Sequence, residues 1–328
     1  MERPGIHISL IIPVFRDADV VLECLRSLTS DPDAADLDVV VVDDASGDDT
    51  PDRIAEARLP GVRLIKRSVN GGFARACSEG WRNRDPQRAI VGVLNADTVV
   101  EPGWLLACWN VLMADPGRGC VVPSVVRWDD PERLDSAGQS YATCGWGFRR
   151  GHDQPASTYD QVQDVFGPTG CAMLARADAI EACGGLFREE FECYYEDTEL
   201  GFRLHRGGFR CTHVPAARVR HRISLTYDRI PRRRAYFVSR NSTVLFWTAV
   251  PVRRWWSAVP QRCCLSAMLA IKAIRQRCLM AFLRGRLEAW PMIVRGPSLR
   301  RSRAAQTFSR GWLKEVRRSR AAAREAQR

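Results

Sequence analysis

The chain has 328 residues, 45% apolar and 27% charged, enough for one large domain or two modest ones. Those proportions exclude a wholly disordered chain, a collagen-like chain and a small disulfide scaffold. The net charge of +11 is unevenly spread: from Arg229 onward there are 24 Lys+Arg against 3 Asp+Glu, whereas the first 228 residues hold 25 basic and 35 acidic side chains. An acidic body joined to a basic tail points to two kinds of task in one chain.

The 12 cysteines are scattered from Cys24 to Cys278 without a C-x-x-C pair. No charged n-region leads into an apolar h-region, so no signal peptide is expected. Reduced thiols serving as small apolar core residues are the expectation, with no zinc site and a cytoplasmic location. The longest apolar run, Asn241 to Val252, has 12 residues and contains Asn, Ser and Thr. A membrane span needs about 20 mostly apolar residues, so none is expected.

The opening reads as a strand from Ile6 to Phe15 and a helix from Arg16 to Thr29. A second strand spans Leu37 to Val42, continuous rather than alternating in its apolar residues, which fits burial on both faces of a parallel sheet. The acidic loop Asp43 to Thr50 follows, then a helix through Ile54 and a strand at Val62 to Lys66. The turn Val69 to Phe73 leads into a helix to Trp81, and a fourth strand, Ala89 to Leu94, stops at Asn95-Ala96-Asp97-Thr98. This alternation predicts a doubly wound α/β sheet, with ligand at the carboxyl ends of its strands. Asp43 and Asp97 are the first acids after buried strands and are candidate ligand-binding carboxylates; Ser46 to Thr50 read better as helix caps.

A helix is expected from Glu101 to Ala114 and a strand from Val121 to Trp128. Pro131 to Asp160 reads as loop, with Gly138, Gly145, Gly147 and Gly151. Phe166 to Ala175 reads as a strand, Arg176 to Ala182 as a helix ending at Gly184-Gly185, and a further helix opens at Glu196-Asp197 and runs to His205. A last strand from Phe209 to Pro215 precedes Val219-Arg220-His221. Adjacent carboxylates at a helix start suit a general base or a metal ligand, and equally suit the helix dipole.

Seven short motifs stand in order: Pro-Val-Phe at 13–15, Val-Val-Asp-Asp-x-Ser at 41–46, Asn-x-Gly-Phe at 70–73, Leu-Asn-x-Asp-Thr at 94–98, Gly-Gly-x-Phe at 184–187, Glu-Asp-x-Glu-Leu at 196–200 and Val-x-His at 219–221. The set resembles the family 2 inverting glycosyltransferases of the GT-A fold, and within them the rhamnosyltransferase-like branch, over residues 7 to 247. The resemblance implies a Rossmann-like nucleotide-binding half (1–100) and a metal and acceptor half (101–228). It implies that Pro13, Val14, Asp43, Asn70, Gly72, Asn95 and Asp97 border the donor nucleotide. Asp97 and His221 would hold Mg²⁺ or Mn²⁺ on the diphosphate, where a cation offsets developing negative charge. Asp197 would be the catalytic base and Glu196 would orient it or contact the acceptor, with Thr169, Gly170 and Trp146 on the acceptor side. The sequence departs from the family pattern at Arg16, where Asn is frequent, and at Glu199, where Asp is frequent. Arg218, Arg220 and Arg222 beside His221 are further candidates to meet phosphate.

The implied activity is transfer of a sugar, with rhamnose from dTDP-rhamnose the best single expectation, to a glycan or lipid-linked glycan acceptor. Two other readings fit parts of the chain. A nucleotide-dependent dehydrogenase shares the early β-α-β units but not the Gly-x-Gly-x-x-Gly turn. An adaptor with an inactive transferase fold would not need both Asp97 and Asp197.

The basic region 229–299 contains a helix with Arg240-Asn241, then Arg253-Arg254-Trp255-Trp256, then an amphipathic stretch from Leu265 to Leu283 with Leu265, Met268, Leu269, Ile274, Leu279 and Phe282. Arginine, tryptophan and an apolar stripe suit an anionic membrane surface, so a peripheral position on the inner face of the membrane is expected. The competing reading is a helix packed on the catalytic domain. No recognised nucleic-acid module is present, so nucleic acid is not the expected partner. Residues 300–328, rich in Arg, Ala and Ser, read as a frayed or disordered tail.

Overall fold

The computed structural model describes residues 6–31, 33, 36–222 and 231–296; the tail 300–328 lies outside the described residues. The first half is β1 (Ile8–Val14), α1 (Ala18–Thr29), β2 (Leu37–Asp43), α2 (Thr50–Glu56), β3 (Val62–Lys66), α3 (Phe73–Arg82) and β4 (Ile90–Leu94). These strands pair in parallel in the order β3-β2-β1-β4. Ile8, Leu10 and Ile12 face α1, while Ile11 faces α3. Burial on both faces is the reason β1 and β2 are continuous in apolar residues.

The second half begins with β5 (Thr98–Val100), α4 (Trp104–Met113) and β6 (Arg118–Arg127). Next come β7 (Leu134–Ser136), β8 (Gln139–Ala142), β9 (Trp146–Arg149), β10 (Gln163–Val165) and β11 (Ala172–Arg176). It continues with α5 (Ala177–Ala182), α6 (Glu196–Arg206) and β12 (Arg210–His221). Beyond β4 the sheet is mixed, because β11 enters antiparallel between β4 and β6, and β12 then runs parallel to β6. Helices α4 and α6 close opposite faces.

Three expectations change. Residues 131–160 are not plain loop: β7 pairs with β6, and β8 and β9 form a separate hairpin. The strand expected from Phe166 starts only at Ala172; the preceding residues leave the sheet, and Gly170 turns its amide toward α6. The amphipathic stretch from Leu265 to Leu283 is divided between two helices.

Those helices belong to the C-terminal region, α7 (Pro231–Ala249), α8 (Trp255–Arg275) and α9 (Leu279–Arg295). Helix α7 is a core element: its Leu245 and Phe246 share a cluster with Tyr141, Tyr195 and Phe202 of the body and with Ala289 of α9. Within the expected stripe, Leu265 and Phe282 are buried and Leu269 and Leu279 pack beside buried residues. Those four positions follow the packed-helix reading. Nine of the 12 cysteines are buried, as small apolar core residues would be.

Candidate active site

Strand register builds the site. Parallel pairing sets Val14 beside Asp43, and the Asp44 amide donates to the Val14 carbonyl at 2.8 Å, so both strands end at one level. Antiparallel pairing of β4 with β11 sets the Asn95 amide on the Cys171 carbonyl at 2.8 Å. Pairing of β12 with β5 sets His221 opposite Thr98, next to Asp97. A cavity of about 640 Å³ opens over these strand ends, within the range of small-molecule sites.

Pro13, Val14, Asn70, Gly72, Asn95, Asp97, Trp146, Thr169, Gly170, Glu196, Asp197 and His221 all line it. Asp43 does not. It is buried and accepts hydrogen bonds from the Ser46 hydroxyl and amide, while the Ser46 hydroxyl in turn accepts from the Arg16 amide at 2.7 Å. Ser46 is thus a cross-link rather than a helix cap. Its neighbour Asp44 reaches the cavity, takes the Gly71 and Gly72 amides at 2.9 and 2.7 Å, and pairs with Arg67. Gly72 has φ +85°, and a Cβ there would meet the Glu192 carbonyl oxygen at 2.9 Å, so no larger residue fits this turn. The arginines beside His221 do not line the cavity: Arg218 and Arg220 pair with Glu101, and Arg222 with Glu23.

Asp197 sits in the first turn of α6, buried, with both oxygens engaged. Oδ2 accepts from Gln139 Nε2 at 2.9 Å and the Gly170 amide at 3.0 Å; Oδ1 accepts from the Thr198 amide at 2.6 Å and hydroxyl at 3.2 Å. Burial pushes its pKa above the ordinary value against the pull of these donors. Burial and the nearby Asp197 charge push Glu196 well above its ordinary value, and Glu196 Oε2 is buried without a hydrogen-bond partner. Two adjacent carboxyl groups whose pKa values are both raised are suited to proton transfer with a bound hydroxyl.

The loop before α6 is strained, with left-handed backbone at Glu192, Tyr194 and Tyr195. Helix α7 holds it. Arg240 donates to the Glu190 and Phe191 carbonyls at 2.9 and 3.0 Å, and Asn241 Nδ2 faces the Phe191, Cys193 and Tyr194 carbonyls at 2.9, 2.9 and 2.7 Å.

Elsewhere on the lining, His221 bridges two acids. Its Nε2 is 3.3 Å from Asp97 Oδ1 and its Nδ1 is 2.9 Å from Asp135 Oδ2. Burial works against a charged His221, but Cys171, Asp135 and Asp97 outweigh it and hold the imidazole well above its ordinary value. Asp135, also buried, is held below the carboxylate range by His152, His221 and Arg149 despite the cost of burial. No group of three or more His, Cys, Asp or Glu among the described residues is arranged to hold a metal alone. Asp97 and His221 stand side by side and are the groups that would hold a divalent cation, the imidazole giving up its proton to do so, while Asp135 fixes the ring through Nδ1.

Asp44, Asp135, Gln139, Arg149, His152, Arg233 and Arg234 also line the cavity and were not among the expected site residues, although Asp44 stands in the motif at 41–46. For Gln139 and Asp135 a signal would have required the register of strands only three or four residues long.

The chain is 26% identical over 258 residues to the N-acetylglucosaminyl-diphospho-decaprenol L-rhamnosyltransferase of Mycobacterium tuberculosis, covering 72% of this chain and 82% of that protein. Two solved structures share the fold. One is GalNAc-T7 with UDP, GalNAc and Mn²⁺, at TM-score 0.55 and 14% identity, covering 81% of this chain and 54% of that one. The other is the mannosyltransferase PcManGT from Pyrobaculum calidifontis with GDP-Man and Mn²⁺, at TM-score 0.53 and 18% identity, covering 88% and 87%. The dehydrogenase reading falls with these likenesses. The model of the family described as glycosyl transferase family 2 matches residues 9–184, more than half of the chain, and the protein belongs to that family.

Proposed function

We propose that this glycosyltransferase moves rhamnose from dTDP-rhamnose to a hydroxyl of a lipid-linked glycan, with inversion and with Asp197 as general base. The observation that carries the reading is the placement of Asp197 and the Asp97–His221 pair on the lining of one cavity. The donor nucleotide lies over Pro13 and Val14, against Asn70 and Gly72, with Asn95 beside its ribose. Asp44 takes over the place expected of Asp43. Asp97 and His221 hold Mg²⁺ or Mn²⁺. A divalent cation there offsets the charge that develops on the departing diphosphate.

Asp197 accepts the proton of the acceptor hydroxyl as that oxygen attacks the anomeric carbon. Its hydrogen bonds from Gln139, Gly170 and Thr198 hold the carboxylate in one orientation, which general base catalysis needs before pKa matters. Trp146, at 6.5 Å from Tyr195 and edge-on to it, offers an apolar platform to a sugar ring. The rhamnosyl donor and the lipid-linked acceptor are inferred from the name of the mycobacterial relative.

Thermal-shift binding against dTDP, UDP and GDP nucleotides and their sugars, with Mn²⁺ and with EDTA, tests the donor. A metal-dependent shift selective for the dTDP forms is expected. A shift with anionic lipid and none with any nucleotide would instead support an inactive adaptor.

A further inference from the structure

Helix α9 is amphipathic in an inverted sense. The face that it buries carries Phe282, Gly285 and Ala289; Gly285 lies so close to α7 that a Cβ there would stand 2.4 Å from the Tyr236 carbonyl oxygen. The other face carries the larger side chains. Met280, Leu283, Leu287, Trp290 and Val294 recur at steps of three and four residues and are between 43% and 81% exposed. Helix α8 adds Trp256, Met268, Ile271 and Ile274, each at least half exposed. Met268 and Ile274 belong to the stripe expected from the sequence; the α9 set is a second stripe, in which Trp290 stacks on Trp247 with ring centroids 6.1 Å apart and Met280, Leu287 and Val294 are more than two thirds exposed. Contiguous exposed apolar surface of this kind marks an interaction site.

Charge selects the occupant. Residues 231–296 contain 13 Lys+Arg and one acid, Glu288, which pairs with Arg284 at 2.6 Å. A second copy offering the same face would bring like charges together. Of the nine exposed side chains seven are aliphatic and two, Trp256 and Trp290, are aromatic, too few for a run of stacked bases. They suit a bilayer, with apolar tips at the acyl boundary and arginines reaching lipid phosphate. Among the described residues no helix is long and apolar enough to cross a membrane, so the helices would lie in the surface plane.

Position gives the face a use. Leu265 and Leu269 of α8 share one apolar cluster with Trp146 and Phe148, which also line the cavity. Helix α7, packed on α9, contributes Arg233, Arg234 and Val238 to the same lining.

We propose that α8 and α9 form an in-plane anchor for an anionic membrane, with the α9 stripe Met280-Leu283-Leu287-Trp290-Val294 as its inserted edge, holding the Trp146–Phe148 wall at the bilayer surface. The use made of that position rests on the lipid-linked acceptor proposed above; the anchoring does not.

Flotation of the full chain with vesicles of phosphatidylcholine alone, or with a third phosphatidylglycerol, tests it at low and high salt. The expected result is binding to the anionic vesicles that falls by about tenfold or more in Leu287→Glu/Val294→Glu, and similarly in Met280→Glu/Leu283→Glu as an independent pair. Transfer to a water-soluble acceptor should be unchanged in both variants. Equal vesicle binding by wild type and both pairs would overturn the proposal and assign attachment to other basic residues. Absence of vesicle binding, self-association abolished by Leu287→Glu, or RNA binding lost in that variant would overturn it too. Loss of soluble-acceptor transfer in the wild type, with vesicle binding as expected, would count against the enzymatic reading and leave the anchor standing.

Discussion

Gln139 Nε2 donates to Asp197 Oδ2 at 2.9 Å, so the β8–β9 hairpin holds the carboxylate that opens α6. This bond favours the ionised form, against burial. Activity that needs ionised Asp197 rises with pH through a pKa above the ordinary 3.8. Gln139→Leu removes a donor to the charged form and should move the acid limb of kcat/KM to higher pH. A pH profile scaled down equally at every pH would make Gln139 a packing residue only.

Asp197→Asn should lower kcat by about 10²- to 10⁴-fold and leave nucleotide binding unchanged, as expected for loss of a general base. Single-turnover transfer together with calorimetric nucleotide binding checks both halves. Near-full turnover would remove the base assignment and direct attention to Glu196.

Asp135 aims His221. Asp135→Asn should weaken Mn²⁺ binding in the presence of nucleoside diphosphate by about 10- to 100-fold, the usual cost of losing such a partner. Electron paramagnetic resonance of free Mn²⁺ measures this without turnover. Unchanged affinity would confine the Asp135–His221 bond to a structural role.

Asn241 holds the strained loop before α6. Asn241→Ala removes the donor to the Cys193 and Tyr194 carbonyls and should cost about 1–3 kcal/mol. Urea unfolding reads the stability, and kcat should fall with KM for the donor little changed. Wild-type stability would show that Arg240 suffices.

His213 is fully buried, with Nε2 at 2.9 Å from the Ser124 hydroxyl. Burial, with a smaller part from Arg150, lowers its pKa from 6.5 to about 4. The unfolded chain therefore binds the proton first, and stability is lost as pH falls from the ordinary value through the depressed one. The loss is about 3 kcal/mol once both states are protonated. His213→Gln should flatten the fall of Tm between these values; an equally steep fall would assign it to other groups.

The first half of the fold was legible because strands buried on both faces are continuous in apolar residues, and the glycine and acid turns between them are distinctive. Position along a strand was less so. Asp43 and Asp44 are identical in sequence, and only pairing decides that Asp43 closes β2 while Asp44 turns to the cavity. Gln139 and Asp135 sit in strands too short to show alternation. The C-terminal helices carry two apolar stripes, and periodicity does not say which one a neighbour covers.

The most direct test is transfer itself: the full chain, labelled dTDP-rhamnose, Mn²⁺ or Mg²⁺, and a polyprenyl-diphosphate N-acetylglucosamine acceptor, with Asp197→Asn alongside. The account predicts a rhamnosylated lipid product that requires the cation and is lost in the variant. Equal product from wild type and variant, or tight nucleotide binding with no transfer from any dTDP-, UDP- or GDP-sugar, would contradict it.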